Sequence, residues 1–223
     1  MPVLILSGLL GNLFPAFLFA LAIEKIDSSM EGILNSLTPL FVIVIGVLFF
    51  KSTLQPKKIA GVLVGLVGLF LLSFSKSSLT HSNLNYTLLI LLATIFYGLN
   101  VNIVSHYLKE LNPIQMATVS LAIMGIPAGI VVWQQNVFSM AQYDEAARWS
   151  IAASALLGVV GSAIATALFY WLIKKAGGLF ASLVTYAIPV VSIIWGELDH
   201  ENVTLIQIGS LGIILSGVYL ANK

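Results

Sequence analysis

The chain has 223 residues, of which 59% are hydrophobic and only 9% charged, with a formal net charge of +1 and a mean hydropathy of +1.02. Soluble domains carry about 25% charged residues, so this composition excludes an ordinary water-soluble fold and points to an integral membrane protein. The scattered lysines form no basic stripe for nucleic acid, and the absence of cysteine excludes disulfides, thiolate catalysis and zinc–thiolate sites.

The first apolar run, Val3 to Ile23, has no basic residue before it and is longer than the roughly 7–15 apolar residues of a signal peptide, so it reads as a span. A second run, Ser28 to Phe50, follows the polar break Glu24, Lys25 and Asp27, and a third, Ile59 to Phe74, follows Lys51 to Lys58. The polar segment 75–85, SKSSLTHSNLN, is a linker. Beyond it, spans are expected at Tyr86 to Tyr107, Pro113 to Trp133, Trp149 to Ile173, Leu179 to Trp195 and Leu205 to Leu220. Each is near the roughly 20 residues that cross about 30 Å of hydrocarbon. The expected fold is an all-α polytopic membrane bundle of about eight transmembrane helices, three in residues 1–74 and five in residues 86–223.

Basic loops stay in the cytoplasm. Placing both termini there keeps Lys51, Lys57, Lys58, Lys109, Lys174, Lys175 and Lys223 inside and leaves Lys25, Lys76 and Arg148 outside. The expected location is a bacterial inner (plasma) membrane, with both termini cytoplasmic. Trp133, Trp149, Trp171 and Trp195 fall near expected span ends, where an indole sits at the headgroup level.

One stretch occurs twice. Moved back by 150 positions, Gly158, Gly161, Leu168, Phe169, Ile173, Lys175, Pro189, Ile193 and Gly196 fall without a gap on Gly8, Gly11, Leu18, Phe19, Ile23, Lys25, Pro39, Ile43 and Gly46. Shared punctuating glycines and a proline mark an internal duplication. In the expected topology the Pro39 helix runs inward and the Pro189 helix outward, an inverted repeat of the kind that lets a transporter open one central site alternately to each face.

Charge at mid-membrane is expensive, and no expected span carries an ionisable residue at its centre. Glu31 comes nearest, in the first turn of the Pro39 helix. It completes an S-x-x-E capping box from Ser28, and a solute or proton role is the competing reading. The neutral polar residues at depth are Asn12, Asn35, Thr38, Tyr97, Asn100, Ser162, Thr166, Thr185 and Tyr186, with position 12 overlaying 162 and position 35 overlaying 185. Singly, each reads as an interhelical hydrogen bond; as a set converging on the repeat interface, they read as a solute cavity. Such a cavity suits neutral or zwitterionic solutes, since no lysine or arginine stands at depth.

Pro39 and Pro189 each free a carbonyl one turn earlier, available to solute or water or simply lost to a packing kink. Gly61-x-x-x-Gly65 permits close helix approach, within the chain or across a homodimer. His81, His106 and His200 are isolated, and Asp199-His200-Glu201 lacks a second cluster to complete a metal shell. With no HExxH, P-loop or GxSxG, the sequence shows no enzyme signature and calls for no cofactor, and transport must be secondary or facilitative.

The pattern of TPLFVIVIGVLF and AIPVVSIIWG, each followed by a polar loop and a glycine-spaced helix (QPKKIAGVLVGLVGLFLL; ENVTLIQIGSLGIILSGVYL), resembles the EamA-type drug/metabolite transporter superfamily over essentially the whole chain. The resemblance implies ten helices in two five-helix halves, cytoplasmic termini, a peripheral last helix in each half, and movement of small metabolites. Against that pattern the first half has three helices, so two further spans are expected upstream of Met1. The family's glutamate before the last helix of each half is matched by Glu201, whereas the first copy has Lys51 and Ser52. The expected function is membrane transport of a small organic metabolite by alternating access, its partners being that solute and the bilayer. The alternative is a non-transporting membrane interaction protein or inactive truncated fragment.

Overall fold

The computed structural model describes residues 1–23, 25, 28–53, 55–75, 84–137, 139, 144–188, 191 and 204–222. Among the described residues all regular structure is helical. Pro189, Trp195, His81 and the Asp199–Glu201 cluster lie outside them, as does most of the linker, which is flanked by helices ending at Ser75 and starting at Leu84.

Helix α1 covers Pro2–Ile23, with Pro2 in the first turn, where its missing N–H leaves no bond unmade. Its middle, Leu9–Leu13, is π-helical. The second expected span is two helices, α2 (Ser28–Asn35) and α3 (Thr38–Phe50), separated by a turn at Ser36 and Leu37. Pro39 explains the break: it cannot donate to the Asn35 carbonyl, and it stands in the first turn of α3, where a proline is tolerated. That carbonyl is not left open as the sequence led us to expect. The Thr38 hydroxyl donates to it at 2.6 Å, while the Ser36 hydroxyl takes the Gly32 carbonyl at 2.7 Å. Helix α3 ends on a left-handed Lys51 (φ 51°), with the Ser52 N–H returning to the Gly46 carbonyl at 3.0 Å.

Helix α4 spans Pro56–Ser75, its proline again in the opening turn. Across the linker come α5 (Leu84–Tyr107) and α6 (Pro113–Gln134). The Asn112 side chain caps α6, accepting from the Ile114 N–H at 2.8 Å. Helix α7, Glu145–Ala176, is 32 residues long. It starts four residues before Trp149 because Asp144 caps it, accepting from the Ala146 N–H at 2.9 Å, and it stops at Gly177 (φ 86°), a backbone conformation suited to glycine. Residues Gly158–Ile164 within it are π-helical. Helix α8, Gly178–Ala187, turns into a 3₁₀ segment at Leu183–Ala187, and α9 covers Leu205–Asn222.

The local irregularities repeat at the offset found in the sequence. Moved by 150 positions, Leu9–Leu13 lands on 159–163, inside the second π segment. The 3₁₀ stretch Leu183–Ala187 lands on 33–37, which contains the break between α2 and α3. A π turn adds one residue to a helical turn and is tolerated where function uses the altered register.

Large apolar side chains face outward around the bundle, among them Leu48, Phe49 and Leu157. Water would penalise such a surface, whereas lipid solvates it. Trp133 and Trp149 are exposed near helix ends, as an interfacial belt requires. Helices α4 and α9 pack closely on each other: Gly61 and Gly65 meet Gly217, and Gly68 meets Ile214, so closely that a Cβ at Gly61, Gly68 or Gly217 would collide with the facing helix. The Gly61/Gly65 pair is therefore used for packing inside the chain. A second clip joins α5 to α3, where the buried Asn102 amide donates to the Val42 carbonyl at 3.0 Å.

Candidate functional site

Between α1, α2, α3 and α5 to α8 lies a cavity of about 600 Å³, within the range of small-molecule sites. Among the described residues, none of α4 or α9 belongs to its wall. Eight of the nine polar residues expected at depth line it: Asn12, Asn35, Thr38, Tyr97, Asn100, Ser162, Thr166 and Thr185. They come from both sides of the linker. Among the described residues, none in the wall carries a formal charge, so the electrostatic field inside comes from amide, hydroxyl and backbone dipoles.

The π segments set the first face. Gly11 and Asn12 come from the first, Gly161 and Ser162 from the second, and all four line the cavity. Gly11 is required by space, because a side chain there would collide with the Asn100 amide. Asn12 and Thr166 join the two halves, the Thr166 hydroxyl donating to Asn12 Oδ1 at 3.5 Å. Asn12 Nδ2 is buried with no hydrogen-bond partner.

The helix breaks set the second face. Thr38 spends its proton on the Asn35 carbonyl, with Asn35 Oδ1 at 3.4 Å. Thr185 does the same within α8, donating to the Ser182 carbonyl at 2.9 Å. Their remaining lone pairs make this face chiefly a hydrogen-bond acceptor. Tyr97 stacks on Phe19 with ring centroids 5.9 Å apart, which holds its ring at the wall.

Two polar wall residues, Tyr170 and Ser182, escaped the sequence reading. Tyr170, 1% exposed, lines the cavity, and its hydroxyl stands 3.2 Å from Ser120 Oγ and 3.5 Å from Ser7 Oγ. Ser7 in turn donates to Asn100 Oδ1 at 2.6 Å. This chain ties α1, α5, α6 and α7 together with buried neutral groups, each stronger for being shielded from water. The signal for it was present in Ser7 and Ser120, two small polar residues at span depth.

Tyr186 does not line the cavity, which corrects its place among the candidates. It is 1% exposed, its hydroxyl donates to the Val62 carbonyl on α4 at 3.1 Å, and its ring lies over Gly65. Glu31 is half-buried one turn before Asn35, within electrostatic reach of the Tyr97 hydroxyl, and absent from the cavity wall. The side chain of Ser28, its expected capping partner, lies outside the described residues, as does Pro189. His106 sits at the end of α5, its Nδ1 3.0 Å from the Asn102 carbonyl and its Nε2 3.4 Å from Ser52 Oγ. Among the described residues no cluster of His, Asp or Glu could hold a metal ion.

A model of the EamA-like transporter family matches residues 1–74 and 84–223. A protein of Archaeoglobus fulgidus described as an uncharacterized transporter is 23% identical over 196 residues, covering 87% of this chain and 68% of its own length. The uncharacterized transporter YoaV of Bacillus subtilis strain 168 is 24% identical over 220 residues, covering 97% of this chain and 74% of its own. A crystal structure of a further protein superposes on 99% of this chain and 75% of its own with a TM-score of 0.73, at 17% identity, a likeness of fold.

Proposed function

The chain belongs to the EamA-like transporter family, and from that premise we propose that it carries a small neutral or zwitterionic organic solute across the membrane by alternating access, without nucleotide hydrolysis. Membrane transport is the general activity that the family and the transporter-named relatives support. The observation that carries the finer reading is a cavity lined by both copies of the repeat, with a π segment from each meeting it at matching positions. Two copies of opposite direction can exchange conformations, so that a site between them opens first to one face and then to the other.

The wall fits that role chemically. It offers neutral amides and hydroxyls with aromatic and aliphatic surface and no fixed charge among the described residues. A phosphate or a lone carboxylate would enter it without a counter-charge and at a large desolvation cost. In this reading α4 and α9 form a fixed glycine-packed spine, and the termini are cytoplasmic by the distribution of lysine and arginine. The test is flux: proteoliposomes loaded with a mixture of neutral, zwitterionic and anionic metabolites should release members of the first two classes, and Asn35→Ala should slow that release at normal protein yield. Release of none of them, or of anions alone, would contradict the proposal.

A further inference from the structure

The two copies of the repeat are covered unequally. Gly8 and Gly11 of α1 face α6 and α5: a Cβ on Gly8 would stand 3.0 Å from the Ser120 backbone, and one on Gly11 would strike the Asn100 amide. Their equivalents in the second copy, Gly158 and Gly161, match them in sequence but not in contact. Among the described residues nothing comes within 4 Å of a Cβ on Gly158, and one on Gly161 meets only Leu157 of its own helix. The neighbouring positions follow suit. Ser7 and Leu10 are 0% and 9% exposed, whereas their equivalents Leu157 and Val160 are 69% and 52% exposed. On the adjoining helices Leu34 packs against the cluster of Ala22 and Ile90, while its equivalent Val184 is exposed. Neither Glu145–Leu157 nor Gly158–Ile164 contains a buried residue.

Lipid alone does not account for the pattern. Acyl chains need no glycine opposite them, whereas glycines in register let another helix approach closely, and in the first copy helices do so at the same positions. We propose that the face of α7 and α8 carrying Leu157, Gly158, Val160, Gly161 and Val184 is the docking seam for two apolar helices, the repeat counterparts of α5 and α6, carried on the same polypeptide ahead of α1. Chain order assigns the source. Helices α5 and α6 directly precede the copy that begins with α7, so their counterparts directly precede the copy that begins with α1. The relatives have room for such a pair: this chain covers 68% and 74% of their lengths, and each span needs about 20 residues. Gly161 also lines the cavity, so the helix that covers it stands at the cavity's edge, as Asn100 of α5 does beside Gly11. The seam concerns how the cavity is walled and holds whether or not the cavity carries solute.

The test co-expresses the full 223-residue chain, affinity-tagged, with the polypeptide encoded in frame immediately upstream of Met1 and ending before it. That polypeptide should contain two apolar spans and should co-purify with the tagged chain in mild detergent. Gly158→Leu should retain at least about tenfold less of it, because a side chain then fills the approach. Gly125→Leu, on an exposed part of α6 with nothing within 4 Å, should retain it in full. Cross-linking gives a second readout, since the chain contains no cysteine: Leu157→Cys should form a disulfide with at least one position scanned through the upstream spans. Upstream DNA without two apolar spans, no co-purification, equal retention by Gly158→Leu, or no cross-link at any position overturns the proposal. Recovery of an untagged second copy of this chain, lost in Gly158→Leu, would make the seam a homodimer contact and overturns it as well. None of these readouts measures flux, so the transport reading stands or falls separately.

Discussion

Tyr186 fills the space that Gly65 leaves empty: the tyrosine ring lies where any side chain at position 65 would project, and its hydroxyl reaches past to the Val62 carbonyl at 3.1 Å. The contact fixes the 3₁₀ part of α8 to α4. Gly65→Leu should therefore overpack this joint and cost about 1–3 kcal/mol or more, seen as a lower melting temperature and poor yield. Tyr186→Phe keeps the ring and loses one bond, so it should cost about 1 kcal/mol in stability with solute flux per folded molecule unchanged. A Tyr186→Phe protein of normal stability and no flux would return that residue to the cavity.

Tyr170→Phe removes a hydroxyl shared by Ser7 and Ser120. Two buried hydroxyls then lose a neighbour, and a destabilisation of about 1–2 kcal/mol is expected from unmade hydrogen bonds. Thermal unfolding in detergent measures it. Because Ser7 also holds Asn100, the double change Tyr170→Phe with Ser7→Ala should cost less than the sum of the single changes; strict additivity would show that the hydroxyls act independently.

Glu31→Gln should leave flux and stability nearly unchanged, since glutamine also completes a capping box and Glu31 is not part of the cavity wall. Glu31→Ala should lower the melting temperature through the lost cap. A strong loss of flux in Glu31→Gln alone would assign the carboxylate to coupling.

Topology can be read with reporter fusions. Those after Lys58 or Lys175 should report a cytoplasmic position and those within 134–148 or at Asp199 an external one, following the lysine distribution. A reversed pattern would contradict the cytoplasmic placement of the termini, and a mixed one the antiparallel arrangement of the copies.

Hydropathy and the 150-residue repeat made the helices and most of the cavity wall legible in the sequence. Asn12 and Ser162, or Asn35 and Thr185, could be paired by the offset alone, and they line one cavity. What hydropathy does not carry is the angle at which a side chain leaves its helix. Tyr186 was placed by depth, yet depth is shared by every face, and only the facing glycine at 65 tells where the ring goes. Tyr170 stands close to the expected span end at Ile173, whereas the helix continues to Ala176 and buries it. The π segments leave composition untouched and alter register; their trace in the sequence was the matched glycines Gly8, Gly11, Gly158 and Gly161. At Pro39 the rule that proline frees a carbonyl held, but the Thr38 hydroxyl one residue away had already taken it.

The proposed alternating access requires this cavity to open to both faces of the membrane. The chain contains no cysteine, so a single Ala165→Cys substitution places one thiol in the wall with no background. Labelling with a membrane-impermeant maleimide in right-side-out and in inverted vesicles should modify that thiol in both preparations. Modification from one face only, with full labelling after denaturation, would contradict alternating access and leave the cavity a packing void or a one-sided pocket.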